Sequence, residues 1–204
     1  MLKYITALAF CLTAGIAQAS SVTSTFDTDD EGWTFSGDTK APKGWNAAGY
    51  LEATDQANGG TWYYVAPTKF LGNKAAAFGQ TLSYDLYQNT TSNPFDRDEL
   101  ILTGGGLTIT GNHVHPGTTF TSYSIALDSS FAWMIGGAAA TDAQILAVLS
   151  DLDSLWIRGE YQNGSDYGRL DNVVMGLNAV PLPASALLLA GAFAGMGALR
   201  RRRG

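Results

Sequence analysis

The chain has 204 residues and a formal net charge of −6 at pH 7, with 46% apolar and 15% charged residues. That composition suits one folded domain with a proper hydrophobic core, without a linker or second domain. Lys3 and the arginines Arg200 to Arg203 supply five of the twelve basic residues, so the segment between them carries seven against all eighteen acidic ones, a balance of −11. Such a surface repels nucleic acid and anionic membranes and favours cations or neutral ligands.

Lys3 precedes the apolar stretch Tyr4 to Ile16, and Ala17-Gln18-Ala19 follows with small residues at its first and third positions. This is the layout of a secretion signal, with residues 1–19 removed by signal peptidase after Ala19. The apolar run is too short to be a membrane anchor. The single cysteine, Cys11, falls inside the signal, which leaves residues 20–178 without thiol, disulfide or thiolate metal site.

The domain begins with Asp27-Thr28-Asp29-Asp30-Glu31-Gly32-Trp33. Carboxylates two apart ahead of a glycine either offer oxygens to Ca²⁺ or form a solvated acidic turn, and the spacing is not that of an EF-hand loop. Period-two alternation then recurs. Leu82, Tyr84 and Leu86 oppose Ser83, Asp85 and Tyr87; Tyr123, Ile125 and Leu127 repeat the pattern; Leu155, Ile157 and Tyr161 oppose Trp156, Arg158 and Glu160. Turn signals separate these runs at Asn58-Gly59-Gly60, Asn93-Pro94, Gly104 to Gly106, His115-Pro116-Gly117 and Asn163-Gly164. The spacing predicts an antiparallel β-sandwich. One helix interrupts it, with Thr141 as cap, Gln144 answering three residues later, and Ile145, Val148, Leu149 and Leu152 at helical spacing.

Among possible reactive groups, Asp98 and Glu99 are adjacent on a predicted strand and face opposite sides, which does not suit the paired carboxylates of a glycosidase. His113 and His115 would share one strand face, too few ligands for zinc, and with Pro116-Gly117 next they read as a polar turn. Nucleophile-elbow, phosphate-loop and dinucleotide motifs are missing from the sequence. Of the five tryptophans most belong to the core, and Trp156 is the best surface candidate for stacking on a sugar, since Leu155 and Ile157 take the other face.

The last segment, residues 179–204, holds about twenty uncharged residues followed by Arg200 to Arg203, which predicts a transmembrane helix with a cytoplasmic C-terminus. A buried helix of a soluble domain is the alternative. Val180-Pro181-Leu182-Pro183-Ala184, the hydrophobic stretch and the terminal arginines together resemble the VPLPA variant of the PEP-CTERM sorting signals. That resemblance implies a Gram-negative bacterium, cutting by an exosortase-type membrane transpeptidase, and delivery to the cell surface or extracellular matrix.

The middle resembles the laminin B domain, also called laminin IV type A. The likeness is carried in family order by Trp62 to Asn73, Thr81 to Tyr87, Glu99 to Thr108, Leu155 to Tyr161 and Leu170-Asp171-Asn172-Val173. It implies an all-β jelly-roll sandwich akin to galactose-binding and carbohydrate-binding modules, over residues 20–178, without enzymatic activity. In such sandwiches a structural calcium often sits between an N-terminal acidic loop and an aspartate on the last strand, which here implies Asp27, Asp29, Glu31 and Asp171. Unlike animal laminins, the domain has no cysteine-rich repeats, so laminin-type network assembly is not implied. The expected function is binding of extracellular polysaccharide or adhesion; the alternative is a self-associating structural matrix component without a glycan ligand.

Overall fold

The computed structural model describes residues 20–178. In chain order they form β1 (Ser20–Ser24), β2 (Thr34–Ser36), β3 (Thr39–Asn46), β4 (Tyr50–Asp55), β5 (Tyr63–Val65), β6 (Thr81–Gln88), β7 (Leu100–Gly104), β8 (Leu107–Gly111), β9 (Thr121–Ala126), β10 (Met134–Ile135), β11 (Ala138–Ala139), α1 (Asp142–Ser150), β12 (Leu152–Arg158) and β13 (Tyr167–Leu177). The segments 1–19 and 179–204, with Ala17, Ala19, Val180, Pro181, Leu182, Pro183, Ala184, the expected secretion signal and the expected transmembrane helix, lie outside the described residues. No helix among the described residues is long and apolar enough to cross a membrane.

Two antiparallel sheets make the sandwich. One has six strands in the order β3-β4-β13-β6-β9, with β1 also paired to β13; the other runs β11-β10-β8-β7-β12-β5-β2. The long β13 organises the first sheet: β4 takes one edge of its first half, β1 the same role for its second half, and β6 lies along the other side. The register shifts between Asp171 and Val174, where Asn172 sits at φ 51°. This is a bulge in which Asn172 adopts the left-handed conformation that asparagine tolerates better than most residues.

Alternation decides which side chains fill the gap between the sheets. Leu82, Tyr84 and Leu86 on β6, Leu51 and Ala53 on β4, and Leu170 and Met175 on β13 meet Leu100 and Leu102 on β7, Ile109 on β8, and Leu155 and Ile157 on β12 in one continuous core. Trp33, Trp62 and Trp133 are buried with them, as expected for most of the tryptophans.

The helix forms where its signals predict. Thr141 accepts from the Gln144 amide and the Gln144 side chain answers at the Thr141 N–H, a complete capping box. Ile145, Val148 and Leu149 are buried against β7 and β8. Leu152 departs from the helical expectation: it opens β12 and bridges Gly72. A buried leucine satisfies a helical stripe and an inward strand position equally well, so its spacing did not distinguish them. The glycine turn beside the helix has a steric reason, because a Cβ on Gly104 would lie 2.4 Å from the Val148 and Asp151 carbonyl oxygens.

Two further expectations change. Arg158 and Glu160, assigned to the face opposite the core, are 0% and 5% exposed. The histidines follow the polar-turn reading and not the strand alternative, since β8 ends at Gly111. His113 stacks on Tyr123 with ring centroids 3.9 Å apart, while His115 Nε2 faces Glu99 at 3.3 Å.

Candidate functional site

The outward positions of three adjacent strands build an aromatic face on the six-stranded sheet. On β13, Tyr167 and Arg169 alternate with the buried Gly168 and Leu170. Arg169 lies opposite Glu52 on β4 and Tyr87 on β6, so the register alone sets a cation between a carboxylate and a phenol. Tyr50 on β4 and Phe120, just ahead of β9, complete the group. The Arg169 guanidinium carbon is 4.6 Å from the Tyr50 ring centroid, 4.7 Å from Tyr87 and 5.2 Å from Tyr167. Phe120, 42% exposed, bridges Tyr50 and Tyr87 at 6.0 Å from each.

Three aromatic rings gathered on one cation, with Phe120 bridging two of them, are held as a unit. Cation–π contacts of this kind contribute about 0.5–1 kcal/mol each at exposed sites. The Arg169 Nε lies 3.5 Å from the Glu52 carboxylate, and the Tyr87 and Tyr167 hydroxyls are 3.4 Å apart. That hydrogen bond, together with burial, raises the Tyr87 phenol above its ordinary range and keeps it neutral. Pro42, Glu52, Thr54, Tyr167 and Arg169 line an adjoining pocket of about 350 Å³. The surface thus offers apolar ring faces beside a charged donor, a carboxylate acceptor and hydroxyls. These are the groups that recognise a polyhydroxylated ring with apolar C–H faces.

Trp156 is elsewhere. It projects from the outer face of the seven-stranded sheet, half-buried, with the Tyr63 ring 5.6 Å away. Tyr50, Tyr87, Phe120, Tyr167 and Arg169 escaped selection at the sequence level, although Tyr87 was assigned to the correct face. The signal for them was the alternation of Tyr167 and Arg169 around Leu170. What that alternation does not carry is that β4 and β6 flank β13.

Among the described residues, the acidic residues assigned to calcium do not form one group of converging carboxylates. Asp171 is held near 6 by burial, offset by its bond from the Asn172 amide and reinforced by the charges of Asp85 and Asp27. Glu31 is committed otherwise: its carboxylate accepts from the Thr25 and Phe26 amides and pairs with Lys69. Burial acts to raise it, but those bonds prevail and lower it. Asp29 accepts from the Glu31 amide in a local turn.

The paired carboxylates at positions 98 and 99 do not converge. Glu99 is buried and bound to Arg158 at 2.9 Å, while Asp98 stays near the surface. A pocket of about 530 Å³ lies beside them, lined by Asp96, Glu99, His113 and His115 among others. Burial pushes Glu99 up to about 7 against the Arg158 charge, and pushes His113 down to about 4.

The fold and face define an antiparallel β-sandwich with an aromatic outer surface. Residues 63–186 match the Laminin B (Domain IV) family, and the chain belongs to it. It is 28% identical over 165 residues to laminin subunit gamma-1 of Homo sapiens, covering 76% of this chain and 10% of that protein. To the basement membrane proteoglycan of Caenorhabditis elegans it is 29% identical over 111 residues, 53% of this chain and 3% of that protein. It therefore spans a tenth or less of these relatives. Among solved structures, the L4b domain of human laminin alpha-2 shares the fold with a TM-score of 0.56 at 20% identity, over 62% of this chain and 79% of that one.

Proposed function

We propose that residues 20–178 are a non-enzymatic extracellular module that binds polysaccharide on the outer face of the six-stranded sheet. The observation that carries this is the convergence of Tyr50, Tyr87 and Tyr167 on Arg169, with Phe120 bridging Tyr50 and Tyr87. Family membership supports an extracellular setting, and the acidic surface suits a neutral glycan better than an anionic polymer. Self-association by strand pairing is opposed by the outer strand β3, which carries Lys40, Pro42 and Lys43 and an irregular register between the lysines. These are the usual means of blocking an open sheet edge.

Binding of the exported protein to the host's exopolysaccharide, by pull-down and glycan array, tests the reading. Tyr87→Ala and Tyr167→Ala are each expected to weaken binding about tenfold, the worth of one lost stacking contact. Trp156→Ala is expected to leave it unchanged. Absence of glycan binding, with concentration-dependent oligomers instead, would replace this function by the structural one.

For the two ends the proposal is export through residues 1–19, with signal peptidase cutting after Ala19, and sorting through residues 179–204 by an exosortase-type transpeptidase acting near Val180 to Ala184. The support is the residue pattern of each segment. Mass spectrometry of the extracellular protein is expected to find Ser20 at the N-terminus and no peptide containing Arg200 to Arg203. Recovery of that tail from the mature protein would sink the sorting step.

A further inference from the structure

At one end of the sandwich, four chain segments bring carboxylates inward where apolar residues would be expected. Asp55 is the last residue of β4, and the inward series Leu51, Ala53, Asp55 places it on the core face, 1% exposed. Glu160 follows β12 and Asp166 precedes β13, at 5% and 2% exposed. Asp38 comes from the turn between β2 and β3. Carboxylate oxygens of Asp38, Asp55 and Glu160 all lie within 4.8 Å of one another.

Their hydrogen bonds leave oxygens over in a consistent way. Asp38 accepts from the Asn58 and Gly60 amides through Oδ2, and Oδ1 is unpartnered. Glu160 accepts from the Trp62 amide through Oε2. Both oxygens of the buried Asp55, and Oδ1 of Asp166, have no partner of full hydrogen-bond geometry, the Ala57 and Gln56 amides lying near Asp55 without being aligned on it. Lys40 and Arg97 stand near, yet neither forms an ion pair with these carboxylates among the described residues. Buried carboxylates lacking a countercharge are strongly destabilising unless protonated or bound to a metal.

We propose that Asp38, Asp55 and Glu160 form a calcium site, with Asp166 adding negative charge behind them. The donors are all oxygen, which selects a hard cation, and two oxygens on one calcium ion at about 2.3–2.6 Å each fall within the observed separation. A pocket of about 170 Å³, lined by Asp55, Gly59, Gly60, Thr61 and Glu160 among others, provides entry and room for water ligands. The site differs from the Asp27 and Asp171 pair in every residue.

The test uses the full chain cleared with EGTA and titrated with calcium chloride alone. Calorimetry is expected to show binding, and saturating calcium to raise the thermal midpoint by about 5 °C or more. Asp55→Asn and Glu160→Gln are expected to raise the midpoint in EGTA, by removing repulsion, and to abolish the calcium response. A cluster with no ion would show the first effect without any calcium response in the wild type. Identical midpoints in calcium and EGTA would overturn the proposal. So would a response retained by both variants and lost in Asp27→Asn or Asp171→Asn, which would place the ion at the first loop.

Discussion

Gly159→Ala is expected to cost about 3–5 kcal/mol, enough to leave the domain largely unfolded if its stability is at the lower end of the usual 5–15 kcal/mol. A Cβ at position 159 would sit 1.9 Å from Cζ3 and 2.2 Å from Cη2 of the Trp62 indole. The ring has no room to retreat. Trp62 is fully buried, with Tyr64 packed edge-on at 5.0 Å and Phe35 at 6.2 Å. The backbone cannot move away easily either, because Gly159 N–H donates to the Trp62 carbonyl and a Cβ on Gly168 would already lie 2.4 Å from the Gly159 carbonyl oxygen. Thermal unfolding followed by circular dichroism reads the effect. Trp62→Leu added to Gly159→Ala should recover part of the loss, since the two substitutions act on one contact. An unchanged midpoint for Gly159→Ala would mean that the indole is not held against this glycine.

Arg158→Met is expected to cost a similar amount, about 3–5 kcal/mol, by stranding a buried carboxylate and two carbonyls. Arg158 is fully buried. Its guanidinium donates to Glu99 Oε1 at 2.9 Å, to the Phe95 carbonyl at 2.7 Å and to the Arg97 carbonyl at 3.3 Å, and stacks on the Phe95 and Tyr161 rings at 4.5 and 4.7 Å. One side chain therefore ties the segment around Phe95 to the end of β12. The loss should depend on pH in a definite sense. Burial already holds Glu99 at about 7, above its ordinary 4.5, in the presence of Arg158. Without the cation it rises further, so the folded variant keeps a proton that the unfolded chain releases above 4.5. Stability linked to that proton is complete below 4.5 and is lost as pH rises through the folded value. Arg158→Met should thus be closer to wild type at pH 5 than at pH 8, in denaturant titrations at the two pH values. Equal losses at both would show that Glu99 does not respond to the missing charge.

Both predictions rest on residues that the alternation pattern misplaced or passed over. The period-two rule correctly assigned Leu82, Tyr84 and Leu86 to the core and Tyr87 to the outside, because each lies in a regular strand whose faces differ in polarity. It failed at Arg158 and Glu160, where β12 ends and the chain turns beneath Phe95 and Trp62. A charged residue at such a place looks outward by default; only the neighbouring segments show that it is enclosed. Asp55 was passed over for a related reason: it continues the inward series of β4, but a carboxylate at the end of a strand reads as a turn residue until Asp38, Glu160 and Asp166 are seen beside it.

The sequence by itself determined the features that depend on near neighbours along the chain. These are the inward and outward faces of the strands, the Thr141 capping box and the glycine turn at Gly104 to Gly106. The ordered blocks from Trp62 to Val173 also carried the family. Side-chain period, capping and turn chemistry all act within a few residues, which is why they are legible without a fold. The aromatic face around Arg169, the Arg158–Glu99 pair and the carboxylates at Asp38, Asp55 and Glu160 were decided only by tertiary structure. Each joins segments far apart in the chain, and their meeting depends on which strands pair and in what register. That choice is made by the packing of the two sheets as a whole, and no local pattern records it.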